Sequence, residues 1–263
     1  LFEGIGEERN PDPSLARTLA KALNYTFERA ISDLIDNAIA NNANNIWVYV
    51  EEKNGGLCES PRAFVAIVDD GGGLSPEELV NKLEYGYKSD EDERNLGAFG
   101  LGLKTASTSQ SWVVAVATRE SPDRDFFRRA WDIPWIENRK WELRIPKEEI
   151  FPSKIMEKIS SSSGTAVLLP DLSRMKGNMN ELTEYRQTQV LTKKFNDCKK
   201  YLEMVFHRFI SGKCLSREYE GRQINFFIND EPLKAWDPFL EEHANHQTYR
   251  MDSVSGLAHL SPN

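Results

Sequence analysis

Glycines near the middle of the chain have the spacing of a phosphate-binding loop. Residues 95–105 read Asn-Leu-Gly-Ala-Phe-Gly-Leu-Gly-Leu-Lys-Thr, so Gly97, Gly100 and Gly102 follow the pattern G-x-x-G-x-G and run into a predicted helix at 103–109. Glycines let the backbone approach a ligand closely, and the first turn of a helix offers unpaired N–H groups. Together these features favour an anion, in particular a phosphate.

Two familiar phosphate-binding motifs nearly match this segment, and both fail on spacing and context. A Walker A loop reads G-x-x-x-x-G-K-[ST] directly after a strand. Here one residue too many precedes Lys104, and a polar loop precedes the glycines. A dinucleotide-binding fingerprint reads G-x-G-x-x-G, which is the reverse of the order found here. Other parts of the chain are needed to decide what the glycines bind.

An aspartate and an asparagine lie four residues apart on the strongest predicted helix of the chain. Between Phe27 and Ile39, apolar residues recur at the helical spacing i, i+3, i+4, i+7. Asp33 and Asn37 therefore share one face at the border of the apolar stripe. Such a pair can face a cleft or solvent, and solvent is the commoner arrangement for a pair considered alone.

A further acidic pair follows a strand that the sequence predicts to be buried. Residues 63–68 are almost continuously apolar, and they lead into two aspartates and three glycines at 69–73. Open sheets place ligand-binding groups at such a position, just after the end of a buried strand. A helix is predicted to begin after Ser75, because Ser75 and Glu78 have the types and spacing of a capping box.

The remaining predicted elements are shorter or carry fewer chemical groups. Strands are predicted at 46–50, 112–118, 126–133, 141–145, 164–169 and 224–228, and helices at 14–23 and 191–209. Residues 1–13 and 150–163 read as irregular, and 229–263 show little pattern beyond one short helix. The charged segment 84–96 has no apolar period, and a connection of this length is either a functional lid or a disordered loop.

Four motifs in a fixed order carry a resemblance to a known family. They are Asp-Leu-Ile-Asp-Asn at 33–37, D-x-G-x-G at 69–73, G-x-x-G-x-G-x-K at 97–104 and Gly-Thr at 164–165. With them, residues 14–210 resemble the ATP-binding (Bergerat) domain of the GHKL superfamily, which includes gyrase B, the heat-shock-90-type chaperones, histidine kinases and MutL. Within the superfamily the motifs look most like those of MORC and the MORC-like ATPases of bacterial restriction and defence systems.

The resemblance implies both a fold and a division of the chain. The fold would be an α+β, two-layer Bergerat sandwich, with a mixed, largely antiparallel sheet and helices on one face. Residues 1–215 would form the ATP-binding domain, with a lid at about 84–99. Residues 216–263 would begin a second, transducer-like domain.

The resemblance also implies ligands for ATP and Mg²⁺. Asn37 would bind Mg²⁺, which commonly uses one or two protein ligands beside phosphates and water. Asp69 would accept a hydrogen bond from the adenine amino group, supported by Thr165. The other implied nucleotide contacts are Gly71, Gly73, Leu74, Gly97, Ala98, Phe99, Gly100, Leu101, Gly102, Leu103 and the cationic Lys104.

Asp33 has the position of the general base that polarises the attacking water, and Lys104 completes the implied catalytic pair. Gyrase B, MutL and MORC carry a glutamate at the position of Asp33. Aspartate has the same chemistry but is one methylene shorter, and a misplacement of about 1 Å can cost on the order of a hundredfold in rate. Either hydrolysis is slow, which is the expectation carried forward, or a shift of the backbone compensates for the shorter side chain.

Three functions are compatible with the sequence. The first is a slow ATPase whose nucleotide state drives homodimerisation or a conformational switch, in a DNA-related system with DNA or a nuclease or helicase as partner. The second is a nucleotide-binding switch or chaperone-like module with little or no hydrolysis. The third is an interaction domain without a nucleotide site. Basic residues at 124, 128, 129 and 193–200 would serve DNA or be ordinary surface.

Composition restricts the setting. The 263 residues carry 33 basic and 41 acidic side chains, a net charge of −8, which argues against a surface devoted to nucleic acid. Apolar runs are too short to span a bilayer, so no membrane partner is expected. The cysteines at 58, 198 and 214 are few and widely spaced, which favours free thiols and a cytoplasmic location.

Overall fold

A nine-stranded sheet is the centre of the fold. The structure is a computed structural model that describes residues 2–8, 26–52, 63–83, 102–133, 135, 142–170, 184–239, 249–254 and 257–262. The strands of the sheet are β1 (Phe2–Glu8), β2 (Asn45–Glu52), β3 (Ala63–Asp69), β4 (Val113–Arg119), β5 (Phe127–Asp132), β6 (Glu142–Pro146), β7 (Gly164–Leu169), β8 (Asn225–Ile228) and β9 (Glu231–Pro232). Strands β10 (Tyr249–Val254) and β11 (Leu257–Pro262) pair only with each other in the described parts of the chain.

The sheet is mixed and largely antiparallel. Its strand order is β1-β6-β5-β4-β7-β3-β2-β8-β9. Strands β2 and β8 pair in parallel, and the other described pairs are antiparallel. Together with the helices described below, this arrangement confirms the predicted α+β class.

The register of three central strands brings candidate site residues side by side. Asp69 at the end of β3 lies opposite Thr165 near the start of β7. On the other side of β7, Thr165 lies opposite Thr118 near the end of β4. Cross-strand neighbours lie about 5 Å apart. The antiparallel pairing therefore assembles one acidic and two hydroxyl side chains at one end of the sheet.

The longer helices cover one face of the sheet. In the described ranges they are α1 (Phe27–Ala40), α2 (Pro76–Leu83), α3 (Gly102–Gln110) and α5 (Glu184–Val205), whereas α4 (Ser153–Met156) and α6 (His207–Ser211) are short. Helix α1 buries the apolar stripe that its sequence predicts, from Phe27 to Ile39. Its first turn is capped by Thr26, whose hydroxyl accepts the Arg29 N–H.

Two hydrophobic clusters fill the two faces. The larger one joins side chains of the four longer helices to one face of the sheet, for example Ile35 of α1, Leu79 of α2 and Leu202 of α5. The smaller one lies on the opposite face, where Phe64 and Ala115 meet Ile150, Ile155 and Ile159. The expectation of helices on one face thus describes the longer helices, while short helical turns cover the other face.

Three segments differ from their predicted structure. Residues 2–8 form strand β1 on β6 rather than an irregular lead-in. Residues 148–159 contain α4 between two 3₁₀ turns. Ile155 and Ile159 have the spacing i, i+4, and both pack with Ile150 in the smaller cluster. Residues 249–262 form a β-hairpin where little pattern was apparent. The predicted helix at 14–23 and the predicted lid lie outside the described residues.

Two strands of the main sheet lie beyond residue 215, where the first domain was predicted to end. Strands β8 and β9, at 225–232, extend the sheet beyond β2, although the division was expected after residue 215. Arg222 ties this region to α1, since its guanidinium donates to the carbonyls of Ile39 (2.9 Å) and Ala43 (2.8 Å). The position of a domain boundary stays a prediction.

In the described parts of the chain, no helix combines the length and the apolar character needed to cross a membrane. Cys198 and Cys214 are buried free thiols, in agreement with the prediction for these two residues.

Candidate functional site

An open cavity lies between the helical layer and the sheet. The empty space is about 710 Å³ when the open solvent at the mouth of the cavity is included. Apolar side chains form most of its walls, with a few polar groups among them. The lining residues are Leu34, Asn37, Ala38, Asn41, Ile67, Asp69, Leu74, Lys82, Leu103, Val116, Thr165 and Val167.

Helix α1 forms one wall of the cavity. Leu34, Asn37, Ala38 and Asn41 follow each other at the spacing i, i+3, i+4, i+7, so they occupy one face. The amide nitrogen of Asn37 donates to the backbone carbonyl of Asp33 at 2.8 Å. This bond directs the nitrogen to the helix backbone and leaves the amide oxygen as the atom that can bind a cation in the cavity.

Asp69 provides the acidic group of the cavity. Only 5% of the residue is exposed, and burial is the main reason that the pKa of its carboxyl group is raised to about 7. The hydrogen bond from the Gly71 N–H lowers this pKa, and the charge of Asp70 raises it. The Gly71 N–H donates to Oδ1 at 3.0 Å. The carboxyl group therefore retains acceptor capacity that can satisfy a donor of a bound molecule, such as an exocyclic amino group.

Hydroxyl groups next to Asp69 hold the neighbouring backbone in place. The Thr118 hydroxyl accepts the Leu74 N–H at 2.9 Å and lies 3.2 Å from the carbonyl of Gly164, to which it can donate. It also lies 3.0 Å from the Thr165 hydroxyl. Both threonines are buried, so this small network joins Thr165 to Leu74, near the end of the loop between β3 and α2.

The glycine-containing loop after β3 is held by α1 and by the segment before β7. The Asn41 carbonyl accepts the Gly72 N–H at 2.8 Å, and the Asn41 amide donates to the Gly73 carbonyl at 3.0 Å. The Ser163 hydroxyl donates to the Gly71 carbonyl at 2.7 Å. Since three hydrogen bonds from two other parts of the chain fix this loop, the cavity wall beside Asp69 is preorganised.

Two of the loop glycines are required by close packing. Gly73 has φ +70°, and a Cβ there would lie 1.9 Å from the carbonyl oxygen of Arg119. A Cβ on Gly71 would lie 2.4 Å from the carbonyl oxygen of Asn41. Side chains cannot be accommodated at these distances, so both positions depend on glycine.

Asp36 is a second carboxyl group with a strongly raised pKa, and it does not line the cavity. Its pKa is raised to about 7, first by burial and then by the charge of Asp33. It lies on α1 beside Asn37, on a different side of the helix from the cavity wall. A raised pKa is thus found both for Asp69, which lines the cavity, and for Asp36, which does not.

The predicted site residues differ in their position relative to the cavity. Asn37, Asp69, Leu74, Leu103 and Thr165 line the cavity, and Gly71 and Gly73 shape the loop beside it. Gly102 begins α3, so the N-terminal end of that helix is next to the cavity at Leu103. Asp33 is half-buried on α1 but is not among the lining residues. Gly97, Ala98, Phe99, Gly100, Leu101 and the Lys104 side chain lie outside the described part of the structure.

Several lining residues were not predicted from the sequence. Leu34, Ala38 and Asn41 share the helix face of Asn37, so extending the i, i+4 argument by one turn in each direction would have found them. Ile67, Val116 and Val167 belong to the sheet, and only the strand pairing reveals them. Lys82 reaches the cavity from the last turn of α2.

Comparison with protein families agrees with this geometry. Residues 25–165 match the family described as "Histidine kinase-, DNA gyrase B-, and HSP90-like ATPase". The match covers more than half of the chain and includes α1, the loop after β3 and Thr165. This chain belongs to that family. It contains a nucleotide-binding domain of the GHKL type, and the cavity lies where the matched segments meet.

Curated relatives come from one group of plant proteins. The chain is 26% identical over 95 residues to Protein MICRORCHIDIA 6 of Arabidopsis thaliana, which covers 36% of this chain and 14% of that protein. It is 34% identical over 79 residues to MICRORCHIDIA 3 (30% and 13%), and 30% identical over 105 residues to MICRORCHIDIA 2 (40% and 16%), both of the same plant. The matched part spans less than a fifth of each relative. A MORC-like GHKL ATPase domain is therefore supported.

Among the described residues, no group of three or more His, Cys, Asp or Glu side chains is arranged to hold a metal ion. The residue set at the cavity fits a cation held mainly by a ligand's own phosphate oxygens, with Asn37 as a single protein ligand.

Proposed function

We propose that this chain binds ATP in the cavity between α1 and the sheet, with the adenine base at Asp69. The observation that carries the proposal is the buried Asp69 carboxyl group, which keeps acceptor capacity in a cavity with apolar walls. An adenine ring presents an amino donor at the edge of a flat ring system whose two faces are apolar, and these properties match the site. The neighbouring Thr165 hydroxyl supplies a second polar contact, directly or through water.

The phosphates would extend from the adenine end toward Asn37 and the start of α3. Helix N-termini favour anions, since their N–H groups are unpaired and the helix dipole is positive there. Asn37 would hold Mg²⁺ through its amide oxygen, and Lys104 would supply a cation. When bound, Mg²⁺ neutralises charge on the phosphate oxygens.

Hydrolysis would depend on Asp33 as the general base for the attacking water. In the described structure its backbone carbonyl is bound by the Asn37 amide, and Asp33 does not line the cavity. The Asp33 carboxylate must therefore move toward the cavity before it can contact a water molecule at the γ-phosphate. We propose slow turnover for this reason.

The test measures ATP binding and steady-state hydrolysis in the wild type and in Asp33→Ala and Asp33→Glu. If Asp33 is the base, Asp33→Ala keeps ATP binding and loses turnover on the order of a hundredfold or more, as expected for a general base. If side-chain length limits the rate, Asp33→Glu raises it. A wild-type rate equal to that of Asp33→Ala would contradict the enzymatic part of the proposal.

A nucleotide-binding switch without turnover is the second candidate. It is favoured by the same observation that Asp33 does not line the cavity. In that case Mg-ATP binds the wild type, and turnover is absent from all three proteins, including Asp33→Glu. The third function, an interaction domain without a nucleotide site, predicts no thermal shift, whereas ligand at a hundred times Kd stabilises by about 2.7 kcal/mol.

We further propose that nucleotide binding drives homodimerisation or a conformational change in a cytoplasmic, DNA-related system of the restriction, defence or MORC type. Family membership supports this, because GHKL ATPases commonly dimerise. Sedimentation of the chain with and without a non-hydrolysable ATP analogue tests it. A mass that is unchanged by the analogue at all protein concentrations would contradict the dimer.

DNA as a partner receives little support from the described basic side chains. Four of them face acidic groups: Arg124 with Glu120 (2.7 Å), Arg128 with Glu148 (3.7 Å), Lys193 with Asp197 (2.7 Å) and Lys199 with Glu231 (2.8 Å). Filter binding across a salt series tests the partner. Phosphate contacts require affinity to fall steeply as salt rises, and an absence of binding at low salt would exclude DNA for this chain.

A further inference from the structure

We propose that Lys82 is a phosphate-binding residue of the cavity, acting beside the phosphate groups that the family motifs assign. This inference rests on the proposed function, since it names a contact of the same nucleotide. It comes from the structure alone, because nothing in the sequence near Lys82 resembles a phosphate-binding motif.

Lys82 is placed at the cavity by a well-anchored helix. The Ser75 hydroxyl accepts the Glu78 N–H (3.2 Å), and the Glu78 carboxylate accepts the Ser75 N–H (2.8 Å), which together cap the start of α2. At the other end, the Trp131 indole donates to the Leu83 carbonyl at 2.8 Å. The backbone that carries Lys82 is therefore fixed, while its side chain remains exposed and can move.

The charges around the cavity support a role for Lys82 in binding phosphate. Among the described lining residues Lys82 is the one cation, and Asp69 is the one acid. Asp33 lies on α1 directly before the lining residue Leu34. A nucleotide with several phosphate charges would be repelled by these acids, so a lysine at the wall offsets the repulsion.

The ammonium group has no strong competing partner in the described structure. The nearest acid along α2 is Glu78, whose pKa is lowered first by the Ser75 N–H and only to a smaller extent by Lys82. Since Glu78 is already used in the cap, Lys82 can turn into the cavity. An ammonium with three donors and a flexible chain suits a phosphate, which it meets as a point charge.

The alternative is that Lys82 contacts the sugar or only supports α2. Adenosine contains the base and the sugar but no phosphate, so it separates these roles. Affinities for adenosine, AMP, ADP and ATP are measured by competition against a fluorescent ATP analogue. The proteins are the wild type, Lys82→Met and Lys82→Arg, with Lys147→Met as a control that removes an exposed lysine of the short-helix face.

The expected result is a loss of about tenfold in affinity for AMP, ADP and ATP in Lys82→Met, because a hydrogen bond to a charged group is lost at a partly solvated site. Adenosine affinity stays within twofold, and Lys82→Arg retains most of the phosphate affinity. Lys147→Met behaves as the wild type for every ligand, which excludes a general effect of net charge.

Two results would overturn the inference while leaving the proposed function intact. One is an equal loss for adenosine and the phosphorylated ligands, which would assign Lys82 to the sugar or to the fold. The other is unchanged affinity for all four ligands. If the wild type binds none of them, the proposed function itself is wrong, and the role of Lys82 fails with it.

Discussion

Asp69 and Asp36 are two carboxyl groups with the same raised pKa, about 7, and burial is the main cause in both. They differ in what surrounds them. Asp69 lines the cavity at the end of β3, with one oxygen bound by the Gly71 N–H. Asp36 lies on α1 beside Asp33 and does not line the cavity.

Asp36 is half-buried whereas Asp69 is buried, so a raised pKa by itself identifies a carboxyl group shielded from water rather than a binding group. In Asp69 the buried carboxyl group faces a space into which a ligand can enter, so its unused acceptor capacity can serve recognition. Asp36 does not line that cavity. Its charge contributes, as one of the smaller effects, to the raised pKa of Tyr219, which comes mainly from burial. Position in the fold therefore predicts that Asp69, rather than Asp36, is the binding group.

The largest expected effect comes from Asp69→Asn, with Asp36→Asn as its matched control. The asparagine oxygen can still accept the Gly71 N–H, which directs the amide nitrogen to the cavity and opposes the adenine amino group. We expect ATP affinity to fall about a hundredfold, since a buried donor without a partner costs about 1–3 kcal/mol and a second donor faces it. Isothermal titration measures this change.

Asp36→Asn should change ATP affinity by less than threefold in the same titration. If both variants lose affinity equally, position would not distinguish the two acids. If Asp69→Asn binds ATP as the wild type does, the carboxyl group is not the adenine contact.

The second effect concerns stability and pH, where the two acids should behave alike. An unfolded aspartate titrates near pH 4, whereas these folded carboxyl groups keep their protons until about pH 7. Between these values the unfolded state has lost protons that the folded state retains, so rising pH lowers the free energy of unfolding. The loss is absent below about pH 4 and complete above about pH 7.

Each asparagine variant removes one of these protons from the balance. The free energy of unfolding of the wild type falls between pH 5 and pH 8. We expect this fall to be smaller by on the order of 2 kcal/mol in Asp69→Asn and in Asp36→Asn. Urea unfolding at both pH values provides the measurement. Unchanged pH dependence in either variant would show that its carboxyl group titrates normally.

A smaller effect should follow from Thr118→Val, which keeps the shape of the side chain and removes its hydroxyl. The Leu74 N–H then loses its acceptor, and a buried group left unpaired costs about 1–3 kcal/mol. We expect a loss of about 2 kcal/mol in stability and of about tenfold in ATP affinity. Thr118→Ser retains the hydroxyl and should stay close to the wild type in both measurements. A stability loss without any change in affinity would separate this network from the site.

The sequence predicted the parts of the site that depend on local pattern. The period of α1, the capping box at Ser75 and the strand ending at Asp69 all follow from neighbouring residues, and the structure confirms these elements. The neighbours of Asp69 could not be predicted in this way. Thr118 joins Thr165 through a hydrogen bond between residues 47 positions apart, and such proximity is set by strand order.

The same reason explains the missed elements at the ends of the chain. Strand β1 forms because β6 offers it an edge, and its own charged sequence carries no clear alternation. The position of Lys82 at the cavity also depends on tertiary structure, since a lysine in the last turn of a helix is ordinarily solvated. Only the placement of α2 beside the sheet turns it toward the cavity.

The central claim, that Asp69 recognises an adenine amino group, is tested most directly on the unmodified protein. The dissociation constants of ATP and of purine riboside triphosphate, which lacks only the 6-amino group, are compared at pH 8, where the carboxyl group is ionised. The account predicts that ATP binds at least about tenfold more tightly, because the carboxylate is otherwise left without its partner. Equal affinities, or no binding of ATP, would contradict it.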